Sequence, residues 1–128
     1  MSAKFEIAAR VHFDAAHMLP GYPGPCARLH GHRWKVEAAV SGEELDGCGM
    51  LVDFLEIRSW LQEIVGPLDH RCLNEVPPFD RIPPTSENLA RFVFRALKER
   101  LDAEGREVRL EWVGVSESPE TGVVYRET

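Results

Sequence analysis

Two stretches near the N-terminus alternate apolar and polar residues with a period of two, and this pattern is the strongest constraint on the fold. The first runs from Phe5 to Ala15 and the second from Trp34 to Val40. Because successive side chains of a strand point to opposite faces, each stretch predicts a half-buried β-strand. The segment "MLPGYPGPCARL" between them holds three prolines and two glycines, which predicts a loop. We therefore expect two adjacent antiparallel strands.

The rest of the chain predicts two helices and two more strands. Asp53 is a suitable cap for a helix that ends near Gly66, and Thr85 or Ser86 for a second helix that ends at Gly105. The expected buried faces of the helices are Phe54, Ile57, Leu61 and Ile64 in the first, and Leu89, Phe92, Val93, Ala96, Leu97 and Leu101 in the second. The tail alternates again in "EVRLEWVGVSE" and "TGVVYRE", around a turn that contains Pro119 and Gly122.

The order ββααββ predicts an α+β fold. We expect a four-stranded antiparallel sheet with both helices packed on one face. A chain of 128 residues with 44% hydrophobic residues is long enough for one such domain, spanning residues 1–128, and short for two.

Composition and charge argue against several function classes. A net charge of −6 disfavours binding to a nucleic acid backbone, and no apolar run is long enough to span a membrane. The charged N-terminal stretch is unlike a secretion signal, so we expect a cytoplasmic protein. The three cysteines, Cys26, Cys48 and Cys72, lack CxxC spacing and predict reduced thiols rather than a disulfide framework.

Three histidines share the buried parity of the first two strands at the ends that the loop joins. His17 continues the first alternating pattern, and His30 and His32 precede Trp34 in the second. Pairing of the two strands brings these side chains together. Three neutral imidazoles suit Zn²⁺ and leave its fourth position open for water or substrate, as in catalytic zinc sites. The alternative is that each histidine is a strand-end residue hydrogen-bonded to the backbone.

Other polar residues have more than one interpretation each. Cys26 lies four residues before His30, and it is a fourth zinc ligand, a reactive thiol close to the metal, or a small buried residue. Asp69 and His70 form either an ordinary loop surface or a proton-relay pair in which the carboxylate orients the imidazole. Glu117, at the end of the third long strand, is by default a solvated charge.

Six motifs occur together in an order that resembles the 6-pyruvoyl-tetrahydropterin synthase superfamily. They are "FDAAH", "CARLHGH", "LVDF", "LDHRCLN", "PPTSENLA" and "VSESPETGVVYRE". The compact spacing from Cys26 to His32 is most similar to the bacterial 6-carboxy-tetrahydropterin synthases of the queuosine pathway. The resemblance covers nearly the whole chain and implies the tunnelling fold (T-fold), which agrees with the predicted order of elements.

The resemblance also implies roles for individual residues. His17, His30 and His32 match the family's zinc ligands, and Cys26 matches its catalytic thiol. Asp69 and His70 match its proton-relay pair. Glu117 matches the carboxylate that anchors the pterin ring.

The implied reaction converts 7,8-dihydroneopterin triphosphate to 6-carboxy-tetrahydropterin, with release of acetaldehyde and triphosphate. Arg28, Arg33, Lys35 and Arg71 are candidates for binding the triphosphate. The family's trimers and hexamers imply a homo-oligomer with sites at subunit boundaries, where His70 serves a neighbour's zinc. Two alternatives remain: a different pterin product, such as 6-pyruvoyl-tetrahydropterin or that of sepiapterin cleavage or side-chain epimerisation, and a non-catalytic protein in which Cys26 closes a structural zinc site.

Overall fold

The long hairpin predicted at the N-terminus is present. The computed structural model describes residues 3–128. Strand β1 (Phe5–His17) pairs antiparallel with strand β2 (His30–Gly42), in a register that sets Phe5 against Gly42 and His17 against His30. Each strand has 13 residues, and more buried and more exposed positions alternate from Ala9 to His17 in β1 and from His30 to Ala38 in β2. The two ends of the intervening loop therefore hold the histidines side by side.

Two helices follow, and the predicted caps delimit both. Helix α1 (Phe54–Val65) begins after Asp53, whose carboxylate accepts the backbone N–H of Leu55. Helix α2 (Ser86–Glu104) begins after Thr85, whose hydroxyl accepts the backbone N–H of Asn88, and ends at Gly105 with φ of 69°. A side chain would strain that left-handed conformation, so glycine suits the position.

The sheet has five strands rather than the four predicted, and it is not wholly antiparallel. Between the helices, the two-residue strand β3 (Arg71–Cys72) pairs parallel with Ala15 and Ala16 of β1. Strand β4 (Arg109–Ser118) pairs with β2, and strand β5 (Thr121–Tyr125) with β4, both antiparallel. The order across the sheet is β3-β1-β2-β4-β5. A pairing of two residues is too short to leave a period in the sequence, whereas the four predicted strands are all present.

Both helices pack on one face of the sheet, as predicted. Inward residues of the strands, including Val11, Phe13, Trp34 and Val36, are buried against residues of the helices. The helix residues in this core are Ile57, Trp60, Leu61, Val65, Leu89, Ala90, Val93, Phe94, Leu97 and Leu101. No helix within residues 3–128 is long and apolar enough to cross a membrane.

The helix faces differ from the prediction at several residues, three of them aromatic. Trp60 is buried although the predicted face of α1 does not include it. Phe54 is 55% exposed, because it is the first residue of α1 and lies before the helix reaches the core. Phe94 is buried although the sequence pattern did not assign it to the core, since it packs edge-on against Tyr125 of β5. Gly122 lies within β5 rather than in the turn before it.

Candidate functional site

The strand register brings the three predicted histidines into one cluster. His17 and His30 are direct partners across the hairpin, and His32 lies opposite Ala15 on the same face. The ring centroids are 4.6 Å apart for His17 and His30, 4.7 Å for His30 and His32, and 5.2 Å for His17 and His32. Each offers a nitrogen within 4.8 Å of the other two. That these nitrogens bind a metal stays a prediction.

Backbone carbonyls fix the orientation of two of the rings. Nδ1 of His17 lies 2.8 Å from the carbonyl oxygen of Pro84, and Nδ1 of His30 lies 2.7 Å from that of Arg28. A carbonyl oxygen can only accept, so each Nδ1 carries the proton and donates it. Nε2 of both rings is then left with a lone pair.

The Nε2 atoms fit a divalent cation. Among residues 3–128, the Nε2 atoms of His17, His30 and His32 are buried and have no hydrogen-bond partner. Buried polar atoms are normally hydrogen-bonded, so three such atoms within 4.8 Å of one another are suited to bind a metal ion together. Imidazole nitrogens held by outer hydrogen bonds are typical ligands of zinc and related metals.

The protonation state of His17 and His32 also fits a cation. Burial lowers the pKa of His17, although the hydrogen bond to Pro84 opposes it. Burial likewise lowers the pKa of His32, against the opposing charge of Glu117. Neutral imidazoles are therefore favoured at neutral pH, and the neutral ring is the form that binds metals.

Glu117 lies beside the histidines rather than in open solvent. Its Oε2 atom is 3.5 Å from Nε2 of His17 and 3.4 Å from Nε2 of His32, and its side chain is 31% exposed. Strand β4 carries it inward, on the same parity as buried Val113 and Val115. A carboxylate facing imidazole lone pairs adds negative charge to the place where a cation would sit.

Asp69 and His70 form the expected carboxylate–imidazole pair, next to the cluster and not within it. Nδ1 of His70 is 3.0 Å from Oδ2 of Asp69. The backbone N–H of Asp14 donates to Oδ1 of Asp69, and this bond, followed by the contact with His70, holds the pKa of that carboxyl below its usual value. His70 has φ of 59°, a conformation that is uncommon for residues other than glycine. A groove of about 480 Å³ is lined by both His70 and His32.

Cys26 occupies neither cluster. In the described part of the chain, the groups of ligand atoms lying within 4.8 Å of one another are the three histidines and the set Asp14, Asp69 and His70. Cys26 is a half-buried free thiol on a short 3₁₀ helix, Pro25–Ala27, in the loop between β1 and β2. This placement favours the reading of Cys26 as a separate thiol over that of a fourth metal ligand.

The sequence placed Trp34 on the same face as the histidines, but it did not predict which groups orient the rings. The indole of Trp34 packs edge-on against His17 and His32, with ring centroids 4.9 and 5.5 Å apart. The carbonyls of Pro84 and Arg28 are backbone groups, which leave no trace in residue type. Trp34 lies two residues after His32, and this spacing predicts that its side chain points to the same face of the strand.

Comparison with known proteins identifies the family. The model of the 6-pyruvoyl tetrahydropterin synthase family matches residues 6–128. The chain belongs to this family. Its fold is that of the family's solved structures: the 6-pyruvoyl tetrahydropterin synthase of Caenorhabditis elegans superposes with a TM-score of 0.84 at 25% identity, covering 99% of this chain and 98% of that one. The T-fold expected from the motifs is confirmed.

Relatives within the family carry different names. The 6-carboxy-5,6,7,8-tetrahydropterin synthase of Bacillus subtilis is 37% identical, with 95% of this chain and 85% of that protein aligned. The dihydroneopterin monophosphate aldolase of Pyrococcus furiosus is 33% identical, with 94% of this chain and 96% of that protein aligned. Membership of the 6-pyruvoyl tetrahydropterin synthase family therefore does not by itself specify which reaction a member catalyses.

Proposed function

We propose that this chain is a zinc-dependent 6-carboxy-5,6,7,8-tetrahydropterin synthase. It converts 7,8-dihydroneopterin triphosphate and one water molecule to 6-carboxy-tetrahydropterin, acetaldehyde and triphosphate, and serves 7-deazapurine (queuosine) synthesis in the cytoplasm. The observation that carries the proposal is the convergence of three buried Nε2 atoms that lack hydrogen-bond partners within residues 3–128. The 37% identical Bacillus subtilis relative of that name supports the choice of product.

Three residues of the chain hold the metal in this proposal. His17, His30 and His32 bind through Nε2, and the carbonyls of Pro84 and Arg28 keep two of the rings in the required tautomer. When bound, zinc supplies Lewis-acid polarisation of oxygens on the substrate side chain. The protein's own share is to pre-orient the imidazoles, which are held by the hairpin register before any metal binds.

The proton transfers fall to Cys26 and His70. The Cys26 thiol takes a proton from, or returns one to, a carbon of the pterin side chain. His70 lines the groove and donates Nδ1–H to Asp69, so Nε2 is the ring nitrogen left to give or accept a proton. Because Asp69 stays ionised by virtue of its lowered pKa, it holds the ring in that tautomer. Glu117 accepts adjacent N–H donors of the pterin ring through its carboxylate.

We also propose a homo-oligomer, a trimer or hexamer with sites at subunit boundaries. His70 has 77% of its side chain exposed, which is unusual for a residue expected to act in a shielded site. A second subunit that covers the groove would supply that shielding. Native mass spectrometry measures the number of chains. A monomer at working concentration would contradict this part of the proposal.

Product analysis tests the reaction. Incubation of the protein with 7,8-dihydroneopterin triphosphate should yield acetaldehyde and 6-carboxy-tetrahydropterin, measured by derivatisation of the aldehyde and by mass spectrometry of the pterin. A 6-pyruvoyl product without acetaldehyde would replace the proposed function with the pyruvoyl-forming one. The Pyrococcus furiosus relative favours a third outcome, carbon–carbon cleavage of dihydroneopterin monophosphate, and that substrate belongs in the same assay.

A cysteine variant separates the enzyme from a structural zinc protein. Cys26→Ala should keep its zinc and lose turnover, because the three histidines form the metal-binding group without the thiol. Cys48→Ala is the matched control, since Cys48 is an exposed free thiol in a surface turn. Loss of zinc from Cys26→Ala alone would mean that sulfur closes the site, and a closed site has no position for substrate.

A further inference from the structure

We propose that Asn74 is a positioning residue: its side-chain amide fixes the loop that carries Cys26 against the segment that carries Asp69 and His70. Asn74 lies just after β3 and bonds to Met18, the residue that follows His17. The inference deepens the proposed function and rests on it for the role of the Cys26 thiol. The contacts themselves do not depend on that function.

The amide of Asn74 pairs with both backbone groups of Met18. The backbone N–H of Met18 donates to Oδ1 of Asn74 at 2.9 Å, and Nδ2 of Asn74 donates to the carbonyl oxygen of Met18 at 2.9 Å. These two bonds leave one orientation for the amide, since the oxygen must face the N–H and the nitrogen must face the carbonyl. The thiol of Cys72 points at the same Oδ1 at 3.9 Å.

An amide is needed here because the backbone ladder has ended. Strand β3 pairs with Ala15 and Ala16 through Arg71 and Cys72, and the chain then enters a 3₁₀ helix, Leu73–Glu75. Backbone of residues 73–75 therefore does not continue the ladder alongside Met18. The amide of Asn74 has the same donor and acceptor as a peptide group, so it bonds to the Met18 backbone beyond the last ladder pair, Ala16 and Cys72.

We call the two hydrogen bonds between Asn74 and Met18 the Asn74 clamp. One further hydrogen bond connects it to Cys26. The backbone N–H of Leu19, next to Met18, donates to the carbonyl oxygen of Cys26 at 2.9 Å. Fixing Met18 therefore fixes the residue whose N–H holds the Cys26 backbone.

At the other end of the same segment, β1 also holds the relay pair. The N–H of His70 donates to the carbonyl of Asp14, and the N–H of Asp14 donates to the carboxylate of Asp69. The segment 69–74 is thus fastened to residues 14–18 at both ends. Asn74 therefore helps to fix the position of the Cys26 thiol relative to the His70 imidazole.

The test uses two substitutions of Asn74 and one control. Asn74→Asp keeps the size of the side chain and the acceptor for the Met18 N–H, but it replaces the N–H donor with an oxygen facing the Met18 carbonyl. Asn74→Ala removes both bonds. Asp46→Ala is the control, because Asp46 also accepts two backbone N–H groups, of Cys48 and Met50, in a surface turn beyond the far end of β2.

Two measurements test whether the Asn74 clamp holds the loop, and neither requires catalytic activity. Hydrogen exchange of the Leu19 amide should be at least about tenfold faster in both Asn74 variants than in the wild type and in Asp46→Ala. The rate of Cys26 alkylation by iodoacetamide, resolved by mass spectrometry and measured across pH, should change in the same two variants. Unchanged exchange and alkylation in folded Asn74→Asp would overturn the inference, because that variant preserves volume and removes the donor.

Kinetics report the consequence for the proposed reaction. We expect kcat to fall by about 10- to 100-fold in both Asn74 variants, with KM within about twofold and bound zinc per chain unchanged. An unchanged kcat beside faster exchange would show that the clamp does not position the thiol, and would overturn the inference. Absence of turnover in the wild type would instead count against the proposed function, while exchange and alkylation still decide whether the clamp exists.

Discussion

Replacement of Trp34 by phenylalanine tests whether the buried hydrogen bond of the indole, next to the histidine cluster, stabilises the fold. Trp34 is fully buried, and its Nε1–H donates to the carbonyl of Ala15 at 3.2 Å. Its ring stacks on Phe13 at 6.0 Å and meets His17 and His32 edge-on. Phenylalanine keeps an aromatic ring in the core but loses the hydrogen bond and the second ring.

The expected loss of stability comes from two effects. Losing the second ring leaves a cavity of roughly 40 Å³, and with the lost burial this costs about 1–2 kcal/mol. Losing the buried hydrogen bond to Ala15 costs about 1–2 kcal/mol more. We expect Trp34→Phe to lower the free energy of unfolding by about 2–4 kcal/mol, which shifts the urea midpoint by roughly 1–2 M.

Urea unfolding monitored by circular dichroism measures this loss of stability. The protein is first treated with EDTA, so that bound metal does not add stability. Trp60→Phe is the matched control. Trp60 is 5% exposed, with the guanidinium groups of Arg100 and Arg106 over its ring at 5.5 and 5.8 Å. Its replacement should cost about 1–2 kcal/mol. Equal losses in the two variants would refute the argument that the Trp34 indole is braced by a specific buried bond.

Four further predictions concern single side chains. His17→Ala should abolish stoichiometric zinc binding, measured by elemental analysis, whereas His12→Ala, on the exposed face of the same strand, should retain it. Glu117→Gln should raise KM for the pterin and keep the zinc, because it keeps the size of the side chain and loses the charge; an unchanged KM in steady-state kinetics would exclude it as the anchor. Thr85→Ala should lower the free energy of unfolding by about 1 kcal/mol through loss of the α2 cap, and Ser86→Ala by clearly less. Asp69 has a pKa lowered from 3.8, so its stabilising effect is present above that pH and lost as the pH falls below it; the stability difference between wild type and Asp69→Asn should therefore vanish in acid, and a difference that persists there would contradict this.

The sequence predicted most of the fold because its signals are local. Period-two patterns placed β1, β2, β4 and β5, and the caps Asp53, Thr85 and Gly105 placed the helix ends. Each of these signals depends on residues within one turn or one strand, which are adjacent in the chain. The shared parity of His17, His30 and His32 predicted their meeting for the same reason, once the two strands were paired.

Features made by distant segments left little trace in the sequence. Strand β3 is two residues long and exists because Arg71 and Cys72 lie against the end of β1. Phe54 is exposed at the first position of α1, and the period of the sequence does not fix how far the core extends along the helix. The pairing of Asn74 with Met18 joins residues 56 apart in the chain.

By itself, the sequence determined the donor set: three imidazoles on one face at one end of a hairpin, with a thiol and a carboxylate–imidazole pair elsewhere in the chain. The tertiary structure decided how those groups are held. Carbonyls of Pro84 and Arg28 set the tautomers, Glu117 turned toward the rings, and Cys26 stayed outside the cluster. The physical reason is that strand parity is an intrinsic property of an extended chain, whereas hydrogen bonds between distant segments exist only after packing has brought them together.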